Sequence, residues 1–334
     1  MGTPLSITIL GAGIVGIWQA NTLARAGHRV RLVEASPTPF TATASRYAGA
    51  MLAPWCEGEA ADAIVRELGV AALPTWREVV PDIAWKGTLV LAATRDRPEL
   101  VRFARMTENH ETVDSARIGA LEPDLAGRFL SGLFYPDEGH MDPLVAMDHI
   151  LSAARGHGAE VVLGTAADPA AEAARADIVI DCRGLASRRA FDNLRGVRGE
   201  RLIVRAPDVQ LARCVRLLHP RHPLYVVPWA DHRYLIGATV LESEDDGPMT
   251  VRSALELLGT AYAVHPGFAE AEILEIGAGV RPAFPDNIPR VIVRGKTIHV
   301  NGAYRHGFLL GPVLAAAVAA WLEANTPHPL LRQE

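Results

Sequence analysis

Lysine is scarce in this chain of 334 residues: Lys86 and Lys296 are the only two, and arginine supplies the remaining 31 basic side chains. A Schiff base, including one to pyridoxal phosphate, requires a desolvated lysine amine. Neither lysine lies in a sequence context that would desolvate it. Schiff-base chemistry is therefore disfavoured.

Cysteine is also rare. Cys56, Cys182 and Cys214 form an odd set without a C-x-x-C spacing, which excludes a disulfide framework and a tetrahedral cysteine zinc site. The 12 histidines are scattered without ligand spacing, so we expect no metal. Few cysteines fit a reducing compartment, and we predict a cytoplasmic protein.

Neither a basic block nor an uninterrupted membrane-length apolar run is present. The formal net charge is -5, which argues against a nucleic-acid partner. The N-terminal apolar run lacks the positive flank of a secretion signal. The run Phe308–Leu322 contains Gly311-Pro312 and is shorter than the about 20 residues that span a membrane, so we predict a buried helix and no membrane partner.

The first forty residues follow the order strand, glycine turn, helix, strand. Ser6–Leu10 is apolar and β-prone, and it ends in the G-x-G-x-x-G segment Gly11–Gly16. A helical pattern then runs to Gly27, and a second strand, Arg29–Val33, ends at Glu34. This order is that of the dinucleotide-binding βαβ unit.

Each residue type in this unit has a physical reason. Gly11 allows the tight turn, Gly13 lets a diphosphate approach the backbone, and Gly16 lets the helix pack closely on the strand. The phosphates would rest on the N–H groups at the positive end of the helix. Glu34 could accept hydrogen bonds from ribose hydroxyls and disfavours the 2′-phosphate of NADP. The unit alone leaves NAD, FAD and a vestigial site open.

Several further blocks resemble one enzyme family. The segment Ser45–Pro54 (S-R-Y-A-G-A-M-L-A-P) is similar to the flavin-contact stretch of the glycine oxidases, in the D-amino-acid oxidase superfamily of flavoproteins. Similar blocks follow in the family's order over nearly the whole chain, at Gly139–Pro143, Ala176–Ser187, Tyr225–Pro228, Tyr234–Thr239, Gly279–Pro282 and Val300–Pro312. The chain departs from the family pattern at Arg183, Ala303 and Gly311.

The resemblance implies FAD as a non-covalent cofactor, because no cysteine or histidine matches an attachment site. It also implies the positions that contact the cofactor, which are Gly11, Gly13, Ile14, Val15, Gly16, Glu34, Ala35, Ser45, Gly49, Ala50, Met51, Gly184, Tyr304, Arg305, His306, Gly307, Phe308 and Leu309.

The substrate of such an enzyme is a small amino acid or amine. By the resemblance, Arg281 clamps its carboxylate, Arg305 helps to orient it, and Tyr225 places a hydroxyl beside it. An arginine suits this task because its planar fork pairs bidentately with a carboxylate. We predict no acid or base residue, since hydride transfer to flavin needs none, and no residue near His306 in the sequence would orient it as a base.

The resemblance predicts FAD-dependent oxidative deamination of glycine and other small amines, with possible supply of iminoglycine for thiamine thiazole synthesis. Dioxygen would reoxidise the flavin and form hydrogen peroxide. The main alternative is a D-amino-acid oxidase or a secondary-amine, sarcosine-like oxidase or dehydrogenase with another side-chain pocket. A nicotinamide dehydrogenase and a non-catalytic flavoprotein are the other classes considered, and a homo-oligomer is possible.

The predicted fold is α/β and α+β: a Rossmann-like FAD-binding domain plus a smaller substrate domain with a mostly antiparallel sheet, as in the D-amino-acid oxidases. Segments 1–84, 137–194 and 277–334 would form the discontinuous FAD-binding domain, and 85–136 and 195–276 the substrate domain. Within the latter, 88–92, 132–135, 201–205, 224–227 and 234–240 read as strands, and 98–106, 118–121 and 251–264 as helices.

Overall fold

The computed structural model describes residues 3–334. Its strands, in chain order, are β1 (Ser6–Leu10), β2 (Arg29–Val33), β3 (Met51–Leu52), β4 (Thr88–Ala92), β5 (Glu111–Asp114), β6 (Ser131–Tyr135), β7 (Gly139–His140), β8 (Glu160–Val162), β9 (Ile178–Asp181), β10 (Arg195–Arg205), β11 (Cys214–Leu218), β12 (Leu224–Pro228), β13 (Arg233–Gly237), β14 (Glu272–Ala283), β15 (Arg290–Arg294), β16 (Thr297–Asn301) and β17 (Leu331–Gln333).

The α-helices are α1 (Ile14–Arg25), α2 (Pro54–Glu57), α3 (Ala63–Val79), α4 (Arg97–Met106), α5 (Ser115–Leu121), α6 (Pro143–Gly156), α7 (Pro169–Ala173), α8 (Val251–Val264) and α9 (Gly307–Ala324). Short 3₁₀ turns lie at Ala44–Tyr47, Thr94–Asp96, Pro123–Leu125, Gly184–Ala190 and Pro266–Glu270.

The first sheet has seven strands in the order β17-β15-β16-β9-β1-β2-β8. Its pairs are parallel except for β15 with β16, which form an antiparallel hairpin. Strand β1 lies between β9 and β2, so the glycine turn that follows it opens at the carboxyl edge of a parallel sheet, where such sheets bind ligands. Helices α1, α3, α6 and α9 contribute Trp18, Trp76, Ile150 and Phe308 to the core beside this sheet.

The second sheet has eight strands in the order β14-β10-β13-β12-β11-β4-β6-β5 and is antiparallel except for β11 with β4. One face of it packs in a separate core with Leu257 and Ala261 of α8. The predicted combination of a Rossmann-like sheet and a mostly antiparallel sheet is confirmed.

Each sheet draws on separated parts of the chain. Strands of the seven-stranded sheet come from the beginning, the middle and the end, and β4–β6 and β10–β14 form the other sheet. Strand β14 runs over Glu272–Ala283 and therefore crosses the predicted boundary at 276/277. The two-stranded sheet pairs Met51 with His140 and Leu52 with Gly139.

Most predicted elements of the second sheet are confirmed, but the predicted strand 234–240 is too long. Strand β13 ends at Gly237, opposite Tyr225 of β12 and Arg201 of β10. Beyond it the chain stays beside β10 without a continuous ladder. The Thr239 hydroxyl accepts a hydrogen bond from Glu200 N at 2.9 Å, the Thr239 carbonyl accepts one from Arg281, and Leu241 forms only an isolated bridge with Arg198.

Helix α9 confirms the helix predicted for Phe308–Leu322. By length and composition alone it could cross a membrane, and half of it is buried inside the protein. Gly311 lies against the Trp18 indole of α1, where a Cβ would overlap the ring. Glycine at this departure from the family pattern therefore lets the two helices approach closely.

Candidate functional site

A cavity of about 690 Å³ is lined by residues of both sheets. Its size lies in the upper part of the range of about 300–1,000 Å³ that is typical of small-molecule sites. At one end lie Gly11 and Gly13 of the turn after β1, and at the other lie Tyr225 and Arg281 of the eight-stranded sheet. The same cavity thus joins the predicted nucleotide-binding and substrate-binding residues.

The nucleotide end is built from the glycine turn. Gly11 has a φ of +93°, and a Cβ there would approach the Cys182 carbonyl oxygen to 3.0 Å. The N-cap of α1 is Gly13, which offers no side-chain cap, and the first turn holds no acidic residue. The positive end of α1 therefore faces the cavity and can accept a diphosphate.

The Glu34 carboxylate ties this turn to the end of β2. It accepts hydrogen bonds from Ala12 N at 2.8 Å and from Ser36 N at 3.0 Å, and it lines the cavity. An ionised carboxylate offers about four lone-pair sites, so two remain for ligand hydroxyls. Glu34 can fix the turn and bind a ribose at the same time.

The middle of the cavity is formed by the segment after the first 3₁₀ turn. The Ser45 hydroxyl accepts a hydrogen bond from Ile14 N at 3.1 Å, which links this segment to α1. Ala50 and Tyr304, both in the cavity wall, have φ values of 47° and 46°, a left-handed conformation that non-glycine residues seldom adopt. Strained backbone of this kind concentrates at functional sites.

Every predicted site residue but one lines the cavity. The exception is Gly16, which lies beneath the turn, where a Cβ would overlap the Gly11 carbonyl oxygen. The residues that do line it are Gly11, Gly13, Ile14, Val15, Glu34, Ala35, Ser45, Gly49, Ala50, Met51, Gly184, Tyr225, Arg281, Tyr304, Arg305, His306, Gly307, Phe308 and Leu309.

The Arg281 guanidinium is held above the sheet with few protein partners. It lies over Gly199, where a Cβ would overlap it, and its Nη1 donates two long hydrogen bonds of 3.4 Å to the carbonyls of Arg198 and Thr239. Among residues 3–334 no carboxylate lies within 4.0 Å of it. Burial lowers the pKa of Arg281, although the group remains a cation because an arginine pKa starts above 12. An anionic ligand would complete its coordination.

Tyr225 lies beside this cation. Its ring packs against Gly49 and Gly237, where a Cβ would approach ring carbons to 2.9 Å and 2.6 Å. Burial raises the pKa of Tyr225, and the positive charges of Arg281 and Arg305 oppose that rise. The neutral hydroxyl is thus a donor close to two cations.

Arg305 is paired with Glu57, a residue that the sequence analysis did not single out. Arg305 Nη2 donates to Glu57 Oε1 at 3.3 Å, and His306 Nδ1 lies 3.6 Å from Glu57 Oε2. Although burial raises the pKa of Glu57, the positive charges of Arg305 and, at greater distance, Arg216 outweigh it, and the pKa is about 2. Glu57 is therefore ionised and stabilises Arg305.

No residue near His306 in the sequence orients it, but Glu57, from a distant part of the chain, lies 3.6 Å from its ring nitrogen. Burial nevertheless lowers the pKa of His306 to about 4. The imidazole is neutral near pH 7 and only weakly basic.

Two further charged residues of the site were missed by sequence reasoning. Arg216 lies on β11 directly opposite Tyr225 and lines the cavity. Glu138 is fully buried and close enough to Arg216 for the two groups to interact electrostatically. Its carboxyl group accepts a hydrogen bond from Cys56 N at 2.8 Å. Burial raises the pKa of Glu138 to about 7. The only sequence signal for Arg216 is a charged residue inside an apolar strand.

The family departure at Arg183 has a local explanation. The Arg183 guanidinium donates to both carboxylate oxygens of Asp181, at 2.9 Å and 2.8 Å, and it lines the cavity beside Gly184. Cys56, Cys182 and Cys214 are free and buried. Burial raises the pKa of all three thiols, so they are poor nucleophiles.

The cavity fits FAD on three observations. A helix end with no N-cap side chain and no acidic residue in its first turn meets the glycine turn, a carboxylate lies where a ribose would bind, and small residues at 48–50 leave room for a flat ring. The backbone at Ala50 and Tyr304 borders the same region.

Comparisons with known proteins agree with this geometry. A family model described as FAD dependent oxidoreductase (DAO) matches residues 6–321. The putative thiamine biosynthesis oxidoreductase ThiO of Rhizobium etli is 48% identical over 97% of this chain and 98% of its own length. Glycine oxidase of Geobacillus kaustophilus is 27% identical over 95% of this chain and 92% of its own. Its crystal structure superposes with a TM-score of 0.79 at 23% identity, covering 98% of this chain and 96% of that one.

Proposed function

Because the chain belongs to the family of FAD-dependent oxidoreductases, we propose that it oxidatively deaminates glycine and other small amino acids or amines. The predictions of this family and of FAD as the cofactor are confirmed. The choice of glycine is supported by two relatives, one named for glycine oxidation and one for thiamine biosynthesis. Supply of an imine for thiazole synthesis is part of the same proposal.

One observation carries the proposal: the Arg281 guanidinium faces the cavity without a carboxylate partner in the described chain. Leaving a cation buried and unpaired costs free energy, which a bidentate carboxylate offsets. Tyr225 donates its hydroxyl beside the same position, and Arg305, already paired with Glu57, adds a second positive field. These groups would hold a small zwitterion by its acidic end.

When bound, FAD would supply the acceptor for the hydride of the substrate α-carbon. The chain supplies position: Arg281 and Tyr225 fix the carboxylate, and the small residues Gly49 and Ala50 let the substrate lie close to the ring. Neutral His306 removes no proton from the α-carbon in this scheme. The substrate amine loses its proton to solvent before oxidation.

We propose the following roles for the residues of the cavity. The lining residues from the turn at Gly11 to Gly184, and the loop Tyr304–Leu309, would contact FAD, while Arg281, Arg305 and Tyr225 would contact the substrate. The segments of the seven-stranded sheet would form the FAD-binding domain, with the boundary near 276 moved into β14. FAD would be non-covalent, so acid precipitation should leave the protein pellet colourless.

We also propose that dioxygen is the electron acceptor and that the protein forms a homo-oligomer. Its location would be cytoplasmic, without a membrane partner. Half of α9 is buried, and it packs against the core helices, which supports the absence of a membrane partner.

The test is a visible spectrum before and after anaerobic glycine. We expect a flavin spectrum that bleaches with glycine, and peroxide formation in air. Turnover of glycine is then compared with that of sarcosine, D-alanine and D-proline. A strong preference for a bulky D-amino acid would replace glycine oxidation by the D-amino-acid oxidase alternative, and a preference for sarcosine over glycine would favour a secondary-amine oxidase. A flavin that no amine bleaches would indicate a non-catalytic flavoprotein.

A further inference from the structure

A third guanidinium faces the substrate end of the cavity. Arg216 lies on β11 directly opposite Tyr225 of β12, and such cross-strand pairs point to the same face of a sheet with Cβ atoms about 4.5–5.5 Å apart. Both residues line the cavity. Arg216 thus flanks Tyr225 on the side of the sheet away from Arg281, which lies four strands further along on β14.

The Arg216 guanidinium lacks an ionic partner in the part of the chain described. No carboxylate oxygen lies within 4.0 Å of it, and its Nη1 is a buried donor without a hydrogen-bond acceptor. The thiols of Cys56 and Cys214 lie near it, and the Phe103 ring centroid is 5.8 Å away. The carboxyls of Glu57 and Glu138 act on the guanidinium only from beyond 4.0 Å, so they help to keep it charged but form no ion pair with it.

Two of the three cations at this end of the cavity, Arg216 and Arg281, have no ion pair in the described chain. Glu57 pairs with Arg305 and acts on Arg216 only from beyond 4.0 Å. Glu138, with a pKa of about 7, is about half ionised at pH 7 and also forms no ion pair with Arg216. A single substrate carboxylate on Arg281 therefore leaves Arg216 without a direct anionic partner.

We propose that Arg216 binds a second acidic group of the substrate, so that the cavity accepts amines and amino acids with two carboxylates, one on Arg281 and one on Arg216. This inference rests on the proposed amine oxidation. Arg216 would determine the preference for diacid substrates. It would take no part in the hydride transfer, which would involve the same atoms as with glycine.

The experiment compares each diacid with its uncharged amide. Turnover of D-aspartate and D-glutamate is measured against D-asparagine and D-glutamine, which have nearly the same shape. The expected result is a kcat/KM at least about tenfold higher for the acids, since a buried charged pair contributes more than a neutral contact. In Arg216→Met this preference should disappear, whereas in Arg205→Met, which removes a half-exposed arginine of the same sheet, it should persist.

Binding is measured separately from turnover, by the change that succinate or its monoamide causes in the FAD absorption spectrum. We expect succinate to bind at least about tenfold tighter in the wild type and no tighter in Arg216→Met. Arg216→Lys, which keeps the charge, should restore part of the preference and serves if Arg216→Met does not fold.

The inference is overturned if acids and amides react and bind alike in the wild type, or if the preference survives in folded, FAD-containing Arg216→Met. If the proposed function fails instead, no amine bleaches the flavin. The comparison of succinate with its monoamide still measures whether Arg216 binds a carboxylate, because it requires no turnover.

Discussion

The guanidinium of Arg281 lies directly against the bare α-carbon of Gly199 on the adjacent strand. A Cβ at position 199 would overlap the carbon and both terminal nitrogens of that guanidinium. Glycine on β10 therefore determines where an arginine on β14 can place its charge.

Gly199→Ala should displace Arg281 without removing it. We expect the KM for glycine to rise by at least about tenfold, because a bidentate pair depends on the exact placement of the guanidinium. Steady-state kinetics and anaerobic titration of the flavin measure the change. Gly259→Ala is the matched control, since a Cβ in that helix meets nothing within 4 Å. An unchanged KM in Gly199→Ala would mean that Arg281 does not set substrate affinity.

Arg281→Lys tests whether shape or charge holds the carboxylate. Lysine keeps the charge but loses the planar fork, and Arg281→Ala loses both. We expect Arg281→Ala to weaken substrate binding by about 2–5 kcal/mol and Arg281→Lys by less. The measurement is the glycine concentration that half-reduces the flavin anaerobically, with Arg205→Lys as control. Equal affinity in all four proteins would remove Arg281 from the site.

The sequence predicted the parts of the molecule that local chemistry determines. The glycine turn, α1 and the adjoining strands depend on residues close together in the chain, and they lie where expected. Arg281, Arg305 and Tyr225 were found through the family resemblance, and the cavity brings all three together.

Glu57, Gly199 and Arg216 were not found, because their roles arise only from tertiary pairing. Glu57 meets Arg305 across 248 positions of the chain, and Arg216 meets Tyr225 through the register of β11 with β12. The sequence around Gly199 and Arg216 contains no motif, and Glu57 lies just beyond the Ser45–Pro54 block. The predicted strand 234–240 was too long for a similar reason: Thr239 is β-prone, but its hydroxyl and carbonyl contact Glu200 and Arg281, and only an isolated bridge to β10 lies beyond it.

Glu138→Gln should stabilise the protein at neutral and alkaline pH. The folded-state pKa of Glu138 is about 7 against an ordinary 4.5, so the unfolded chain loses this proton first as the pH rises. The unfolding free energy of the wild type therefore falls between about pH 4.5 and 7, and the full cost, at most about 3 kcal/mol, persists above that range.

The Tm difference, variant minus wild type, should increase across this window and then level off. Glu67→Gln, at an exposed position of α3, is the control and should show no such trend. A Tm difference for Glu138→Gln that stays constant from pH 4.5 to 8 would contradict the raised pKa.

Glu34→Gln should weaken FAD binding while leaving the substrate residues in place. The carboxylate accepts from Ala12 N and Ser36 N with different oxygens, and an amide can replace only one of them as an acceptor. A ribose hydroxyl that donates to the replaced oxygen would lose a hydrogen bond to a charged acceptor, which costs about 1.5–3 kcal/mol, so the Kd for FAD should rise about 10- to 150-fold. Recovery of flavin fluorescence on dilution measures this Kd, and Glu160→Gln, at an exposed position of β8 in the same sheet, is the control. When FAD is saturating, the KM for glycine should match that of the wild type, because Glu34 lies at the nucleotide end of the cavity; a changed KM with an unchanged Kd for FAD would place Glu34 in the substrate site instead.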